Sequence, residues 1–163
     1  LADLGAEVVK VERPDGGDDA RAFGPFLENG QSAYFASINR GKKSIALDLK
    51  SEDGYEVFRR LVVNADVLVT NYRLKALQRL KLEYETIRAI NPRIVYALAT
   101  GFGEHGEERH KPGYDTVCYW SRSAIETQVF PYEGWLSAFP YGADDHPSGM
   151  TLFAAIMTGL YRR

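Results

Sequence analysis

The chain has few of the residues that build disulfides and metal sites. Its 163 residues include one cysteine, Cys118, and three histidines, His105, His110 and His146. A single cysteine excludes a disulfide within the chain, and the histidines stand at none of the spacings that are typical of zinc sites. We therefore expect no structural metal.

The chain also lacks long apolar runs and a strong excess of one charge. No stretch approaches the roughly 18 uncharged residues of a membrane helix, and no signal-peptide pattern opens the sequence. We therefore expect a cytoplasmic protein with no membrane association. The formal net charge of −2 gives no basic field, so no nucleic-acid partner is expected. The 45% hydrophobic and 26% charged residues are typical of an ordered globular domain.

Short β-branched runs alternate with helical patterns along the chain. The runs cover residues 7–12, 44–49, 66–70 and 93–99, and the helical patterns cover residues 51–62, 77–80 and 84–90 and the apolar stretch after Asp145. Strands without strict alternation, separated by helices, are typical of a parallel sheet covered on both faces. The pattern predicts an α/β fold with a Rossmann-like, doubly wound, mostly parallel sheet.

Ligands of such sheets gather beyond the carboxyl ends of the strands. The segments to search are therefore those that follow each predicted strand, which are residues 13–17, Lys50, residues 71–73 and residues 100–115. The last of these contains a polar loop that is too long to be a simple connection and is expected to border a site.

Two acidic residues, Asp144 and Asp145, lie in a turn directly before the last helical pattern. The simple interpretation is capping, because Asp and Ser are favoured where helices begin. A carboxylate held at the start of a helix can also be an ionised nucleophile. Both aspartates fit that role by composition, and only Asp145 lies three residues before Ser148-Gly149-Met150.

Seven short motifs follow one another in a characteristic order. They are Leu-Ala-Asp-Leu-Gly-Ala-Glu-Val at 1–8, Val-Glu-Arg-Pro at 11–14, Asn-Arg-Gly-Lys-Lys-Ser with Leu-Asp-Leu-Lys within 39–50, Asn-Tyr-Arg at 71–73, Gly-Phe-Gly at 101–103, Pro-Gly-Tyr-Asp at 112–115, and the turn that contains Asp145. In this order they resemble the family III CoA-transferases, a superfamily that includes formyl-CoA transferase, carnitine CoA-transferase and α-methylacyl-CoA racemase.

The resemblance covers the whole chain and also bears on its ends. Leu1 to Gly5 has the pattern of a helix tail closed by glycine, and residues 161–163 finish a helix. Family members carry a strand and most of a helix before this point and a second domain after it. The resemblance therefore implies that residues 1–163 are a partial CoA-binding α/β domain of the large domain, inactive alone, from a protein that forms an interlocked homodimer.

The resemblance also implies which residues carry the chemistry. Asp145 matches the family's nucleophilic aspartate, and Asp115 matches an acidic position that assists the chemistry in formyl-CoA transferase. The positions that match CoA contacts, together with Arg73 beside them, are Arg13, Leu47, Lys50, Asn71, Tyr72, Arg73, Arg79, Lys111 and Tyr114.

Several of these residues have a plain alternative, and so does Asp48 within the segment 47–50, which matches a family segment that lines the nucleotide. Arg13 also has the pattern of a simple exposed arginine before a proline, and Asp48 has that of the charged end of a buried strand. Asp115 could equally cap a helix that follows it. His146 has the pattern of a solvated surface histidine, so we assign it no catalytic role. The loop after Arg73 departs from the family, because Leu74-Lys75 replaces its common Pro-Gly.

The implied activity is transfer of CoA from an acyl-CoA to a free carboxylic acid through an aspartyl anhydride and an aspartyl-CoA thioester, with no metal. The racemases carry a histidine where this chain has Tyr114, and a phenol of pKa about 10 is a poor proton-transfer base near neutrality. Transferase is therefore favoured over racemase. The other alternative is a CoA-binding piece without activity. Residues 137–144 are closer to carnitine CoA-transferase than to the formyl-CoA enzyme.

Overall fold

The computed structural model describes residues 1–114, 116–125, 127, 142 and 144–163. The chain divides into two compact units, Leu1–Leu61 and Val62–Arg163. Each unit is built around one pair of parallel strands.

The first unit is organised by strands β1 (Val9–Glu12) and β2 (Lys43–Ala46). They pair in parallel, with Val9 opposite Lys43 and Glu12 opposite Ala46. A 3-10 helix, Asp19–Ala22, and helix α1 (Ala33–Ile38) lie between them in sequence, and helix α2 (Glu52–Asn64) follows β2. Helix α1 begins where the buried Ser32 side chain accepts a hydrogen bond from the Phe35 amide.

The second unit contains strands β3 (Val67–Thr70) and β4 (Val95–Leu98), also parallel, with Val67 opposite Val95. Helices α3 (Leu74–Leu80) and α4 (Tyr84–Ile90) connect them. A π-helix, Thr116–Ser121, and the long helix α5 (Asp145–Arg162) follow β4 in the chain.

Helix α5 packs against β4, and this contact fixes the helix that carries Asp145. Ile156 is only 2% exposed, and Gly159 lies so close to Val95 that a Cβ at that position would be 3.0 Å from Val95 Cγ1. After the helix, the Arg163 guanidinium donates to the Asp66 carboxylate at 2.6 Å and to the Arg93 carbonyl at 3.2 Å.

The structure confirms the predicted α/β fold and its parallel strands. All four predicted strands form, and the three predicted helices before Asp145 and the one after it are present. The strands of the described residues form two separate pairs. The chain opens with a short 3-10 helix, Ala2–Leu4, which ends at a glycine as predicted. Gly5 has φ 92°, and its amide donates to the Ala2 carbonyl. Helix α1 and the helical turn at 19–22 were not predicted, whereas the π-helix Thr116–Ser121 lies where the capping interpretation of Asp115 expected a helix.

Within the described part of the chain, no helix is both long enough and apolar enough to span a bilayer.

Candidate functional site

The predicted site residues fall in both units. Arg13, Leu47 and Lys50 belong to the first unit. The second unit holds the others that the structure describes, which are Asn71, Tyr72, Arg73, Arg79, Lys111, Tyr114 and Asp145. Asp115 lies outside the described residues, and so do residues 137–141 and 143 of the carnitine-like stretch.

In the first unit a concave pocket of about 240 Å³ opens beside the end of β1. Arg13 is the first residue after β1, and its guanidinium contacts the Asp19 carboxylate in an exposed ion pair. The pocket is lined by Glu12, Arg13, Pro14, Gly16, Gly17, Arg21, Ser44 and Ala46. The carboxyl end of a parallel strand thus forms a hollow with two arginines, as the fold class predicts.

Glu12 lies at the inner side of this pocket and its side chain is only 4% exposed. Arg21 donates to both of its oxygens, Nε to Oε2 and Nη2 to Oε1, each at 2.8 Å. The Ser44 hydroxyl donates to Oε1 at 2.7 Å and the Asp18 amide to Oε2 at 3.0 Å. These donors, Arg21 first, lower the pKa of Glu12 from 4.5 to about 2. The carboxylate is therefore ionised throughout the physiological range.

The lowered pKa of Glu12 predicts an acid-sensitive stability. Its contribution to the free energy of unfolding is complete above pH 4.5 and is lost as the pH falls through about 2, because the unfolded chain binds the proton first. We expect the E12Q variant to lose stability less steeply in this window when unfolding is followed by circular dichroism.

Glu56 provides the matched control for that measurement. Its pKa is also lowered to about 2, but by Arg59 and Arg60 on the exposed face of α2. Added salt screens exposed pairs far more than buried ones. In 0.5 M salt, the difference in acid sensitivity between E56Q and the unsubstituted protein should therefore become smaller, while the corresponding difference for E12Q should remain. If salt reduces both differences equally, the Glu12 ion pair is not buried.

Leu47 and Lys50 lie in the turn that follows β2. The Leu47 amide donates to the Glu12 carbonyl at 2.9 Å, which extends the β1–β2 ladder by one bond. The Asp48 carboxylate accepts a hydrogen bond from the Lys50 amide at 3.0 Å. Asp48 thus stabilises the turn after β2, which ends at Ala46, rather than forming the charged end of the strand, and Lys50 is exposed.

In the second unit, residues 71–73 join β3 directly to α3. The Tyr72 amide donates to Thr70 Oγ1 at 3.2 Å, and Arg73 occupies the N-cap position of α3 with extended backbone angles. Arg79 lies in the last turn of the same helix. Among the described residues, no carboxylate lies within ion-pair distance of Arg73 or Arg79. Both residues are exposed, and their guanidinium groups can bind an anionic ligand.

The loop that carries Lys111 and Tyr114 is closed by a close approach of two glycines. A Cβ on Gly101 would lie 3.0 Å from the Gly113 Cα and 2.5 Å from Cys118 Sγ, and a Cβ on Gly113 would lie 2.4 Å from the same sulfur. Gly101 and Gly113, at the two ends of the loop, therefore pack against each other and against the Cys118 thiol. Lys111 pairs with Glu108 at 2.7 Å, and Tyr114 is 81% exposed.

Asp145 is the first residue of α5, and its side chain is exposed. The positive end of the helix dipole favours a negative charge there. Asp144 occupies the N-cap position without a side-chain bond to the backbone, and its carboxylate accepts from the Ser148 hydroxyl at 3.0 Å. Burial and the nearby Asp144 charge both raise the pKa of Cys118.

His146 has a local structural role. Its Nδ1 lies 2.9 Å from the Gly142 carbonyl, so this nitrogen carries the proton and donates to that oxygen. The ring lies against Gly142, where a Cβ would be 3.3 Å from Nδ1. The contact supports the turn that precedes Asp145.

A second hollow of about 420 Å³ lies between β4 and α5, and the sequence pattern did not indicate it. Its walls include Tyr84 and Tyr96, whose rings meet edge to face, and Glu104. The Tyr96 hydroxyl donates to the Leu82 carbonyl at 2.7 Å, and burial raises its pKa to about 12. In the described parts of the chain, no group of three or more His, Cys, Asp or Glu side chains could hold a metal ion.

Across residues 1–163 the sequence matches the profile of CoA-transferase family III. The chain belongs to this family. It is 39% identical to acetyl-CoA:oxalate CoA-transferase of Acetobacter aceti and 40% identical to succinyl-CoA:glutarate CoA-transferase of Mus musculus, each over 163 residues. Those residues are 100% of this chain but 42% and 37% of the two relatives.

A solved structure of a CAIB/BAIF family protein from Brucella suis has the same fold. It matches with a TM-score of 0.89 at 38% identity, over 99% of this chain and 43% of that one. The family III membership that the seven motifs indicated is thus confirmed. The chain spans about two fifths of the length of these family III proteins.

Proposed function

We propose that the protein transfers coenzyme A from an acyl-CoA to a free carboxylic acid, with Asp145 as the nucleophile. The observation that carries this proposal is the position of Asp145 as the exposed first residue of α5 in a family III chain. The positive end of the helix dipole favours a negative charge there, and a carboxylate is the form of aspartate that attacks a thioester.

The proposed reaction begins when the Asp145 carboxylate attacks the thioester carbonyl of the donor. The carbon–sulfur bond breaks, CoA leaves as its thiolate, and an aspartyl-acyl anhydride remains. The thiolate then attacks the aspartyl carbonyl, releases the donor acid and leaves an aspartyl-CoA thioester. The acceptor carboxylate attacks that thioester, the carbon–sulfur bond breaks, and CoA thiolate leaves an aspartyl–acceptor anhydride. The thiolate then attacks the acceptor carbonyl of this anhydride, which gives the new acyl-CoA and frees the Asp145 carboxylate. Each step exchanges one acyl bond for another, which divides a difficult exchange into easier ones.

Several basic side chains are suited to the nucleotide and the phosphates of CoA. Arg13 lies beside the 240 Å³ pocket, and we assign it with Leu47 and Lys50 to the adenosine part. Arg73 and Arg79, with no acidic partner among the described residues, are assigned to the phosphates, which a guanidinium binds with two parallel hydrogen bonds. Asn71, Tyr72, Lys111 and Tyr114 are assigned to the remaining CoA contacts, and Asp115 to assistance of the chemistry.

The phosphate assignment predicts that R79Q binds CoA about tenfold more weakly, because one charge-assisted contact is lost. Titration calorimetry on the complete gene product that carries this chain measures the change. R88Q is the matched control, since Arg88 is also exposed on a short helix of the second unit but has Glu85 as a neighbour at 3.8 Å. Equal affinities of the two variants would remove Arg79 from the site.

The acceptor is proposed to be a small dicarboxylate, because the two named relatives act on oxalate and glutarate. A CoA-exchange assay with acetyl-CoA and succinyl-CoA as donors, and with oxalate, glutarate, succinate and carnitine as acceptors, tests this assignment. Exchange with one of the dicarboxylates alone is the expected result. Incorporation of solvent deuterium at the α-carbon of an acyl-CoA without any exchange would instead indicate a racemase.

We further propose that the complete protein is the interlocked homodimer that the family resemblance implies. Light scattering of the complete gene product should give twice the mass of one chain. A monomer that catalyses exchange would contradict this proposal without affecting the chemistry assigned to Asp145.

A further inference from the structure

The loop that follows β1 is held in place by side chains rather than by regular backbone pairing. Residues 14–18 contain two glycines in the left-handed region, Gly16 with φ 75° and Gly17 with φ 67°. No strand or helix includes these residues. Their position must therefore come from the groups that surround them.

The buried carboxylate of Glu12 provides the central attachment of this loop. It joins four parts of the first unit, since it belongs to β1, accepts from Ser44 on β2, from the Asp18 amide in the loop, and from Arg21 in the 3-10 helix. Gly17 packs directly on it, because a Cβ there would lie 2.7 Å from Glu12 Oε2. Any other residue at Gly17 would displace the loop or the carboxylate.

A second set of contacts supports the same loop through the Asp18 carboxylate. The Lys10 ammonium contacts the Asp18 carboxylate and donates to Asn39 Oδ1 at 3.0 Å, and Lys42 donates to the same amide oxygen at 3.1 Å. The Arg21 guanidinium, which holds Glu12, stacks on the Phe35 ring at 4.0 Å from its centroid. The motif at 39–44 thus helps to hold the loop at 14–18.

We propose that Glu12 is a positioning residue for CoA binding, which fixes the loop at 14–18 and with it Arg13 and the rim of the 240 Å³ pocket. The inference rests on the proposed function, because it assumes that this pocket receives the adenosine part of CoA. We assign the Glu12 carboxylate no hydrogen bond to CoA, because four donors already occupy both of its oxygens. Its effect is transmitted through the chain to Arg13 and through Asp18 to Asp19, the partner of Arg13.

The test measures binding of CoA and of pantetheine, which lacks the nucleotide, to the complete gene product. The E12Q variant keeps the size of the side chain but loses the charge that Arg21 requires. We expect CoA to bind about tenfold more weakly to E12Q while the inhibition constant of pantetheine is unchanged. In turnover, KM for acyl-CoA should rise and kcat should stay close to that of the unsubstituted protein.

Glu7 provides the matched control. It pairs with Lys43 at 2.7 Å across the two strands of the first unit, close to where both strands begin, and both side chains are exposed. E7Q should therefore leave both affinities unchanged. A second variant, R21K, keeps the positive charge but cannot form the two parallel bonds to Glu12, and should weaken CoA binding in the same direction with less effect on folding.

The outcomes separate this inference from the proposed function. If the unsubstituted protein does not bind CoA, the proposed function fails and the inference fails with it. If it binds CoA but E12Q binds CoA as tightly as E7Q does, only the inference is overturned. A loss that is equal for CoA and pantetheine would also overturn it, because it would show general damage rather than a displaced adenosine pocket.

Discussion

The Asp145→Asn variant of the complete gene product is expected to lose CoA transfer by about four orders of magnitude or more, because the nucleophile itself is removed. An amide is neutral and cannot form the anhydride on which every later step depends. Asparagine is also favoured where helices begin, so α5 should form as before. Exchange of labelled CoA between donor and acceptor measures the loss, and thermal unfolding verifies that the variant is folded.

The neighbouring residue Asp144 provides the sharpest control for this experiment. Its carboxylate accepts from the Ser148 hydroxyl at 3.0 Å, which is a local role at the start of the helix. D144N should therefore retain most of the transfer activity with a modest loss of stability. Hydroxylamine added during turnover should convert Asp145 to a hydroxamate. A hydroxamate at Asp144, or an inactive D144N beside an active D145N, would show that Asp144 is the nucleophile and that Asp145 is not.

The Gly113→Ala variant is expected to destabilise the second unit by about 1 to 3 kcal/mol, the cost that is typical of inserting a methyl group where no space exists. The new Cβ would lie 2.4 Å from Cys118 Sγ and 3.1 Å from the Gly101 Cα. Either the Cys118 side chain or the loop between the two glycines must move. Urea unfolding of the chain measures the loss, and a lower affinity for CoA should accompany it because Lys111 and Tyr114 flank the glycine.

A double-mutant cycle shows whether the thiol causes this cost. C118A removes the sulfur atom, so the G113A/C118A variant should recover part of the stability that G113A loses. If the losses of stability in G113A and C118A simply add, the thiol does not cause the strain, and the contact with the Gly101 backbone does. Gly149 serves as the matched control, because it lies in α5 and a Cβ there would meet nothing within 4 Å. G149A should raise stability by about 0.5 to 1 kcal/mol, as alanine favours a helix over glycine.

The sequence predicted those parts of the fold that depend on local patterns. Runs such as Val67–Thr70 are β-branched and apolar, and they form strands where expected. The helix at Glu52–Asn64 has acidic residues in its first turn and an apolar stripe, so its start and end were also predictable. Helix α1 has only six residues, and its stability depends on the Ser32 cap and on burial of Phe35, which no periodic pattern reveals.

Only those residues of the candidate site that lie within a family motif could be predicted from the sequence. Asp145 and the residues after β3 were found from family motifs, and the structure gives their local geometry. Glu12 belongs to the motif at 11–14, but an acidic residue at the end of a strand is ordinarily solvated, so nothing in the sequence indicated its burial. Its partners Arg21 and Ser44 are 9 and 32 residues away, and only folding brings them to one carboxylate.

By itself, the sequence determined the α/β class, the positions of the strands and the family, because strand propensity, helical periodicity and short motifs are local properties of the chain. The tertiary structure decided which acidic residue is buried and four times hydrogen-bonded, which aspartate of the pair bonds to Ser148, and that Gly101 and Gly113 touch across Cys118. The contacts of Glu12 and of the two glycines join residues far apart in sequence, and desolvation and close packing arise only when the chain brings such residues together. The bond to Ser148 is local and depends on the exact residue at which α5 begins.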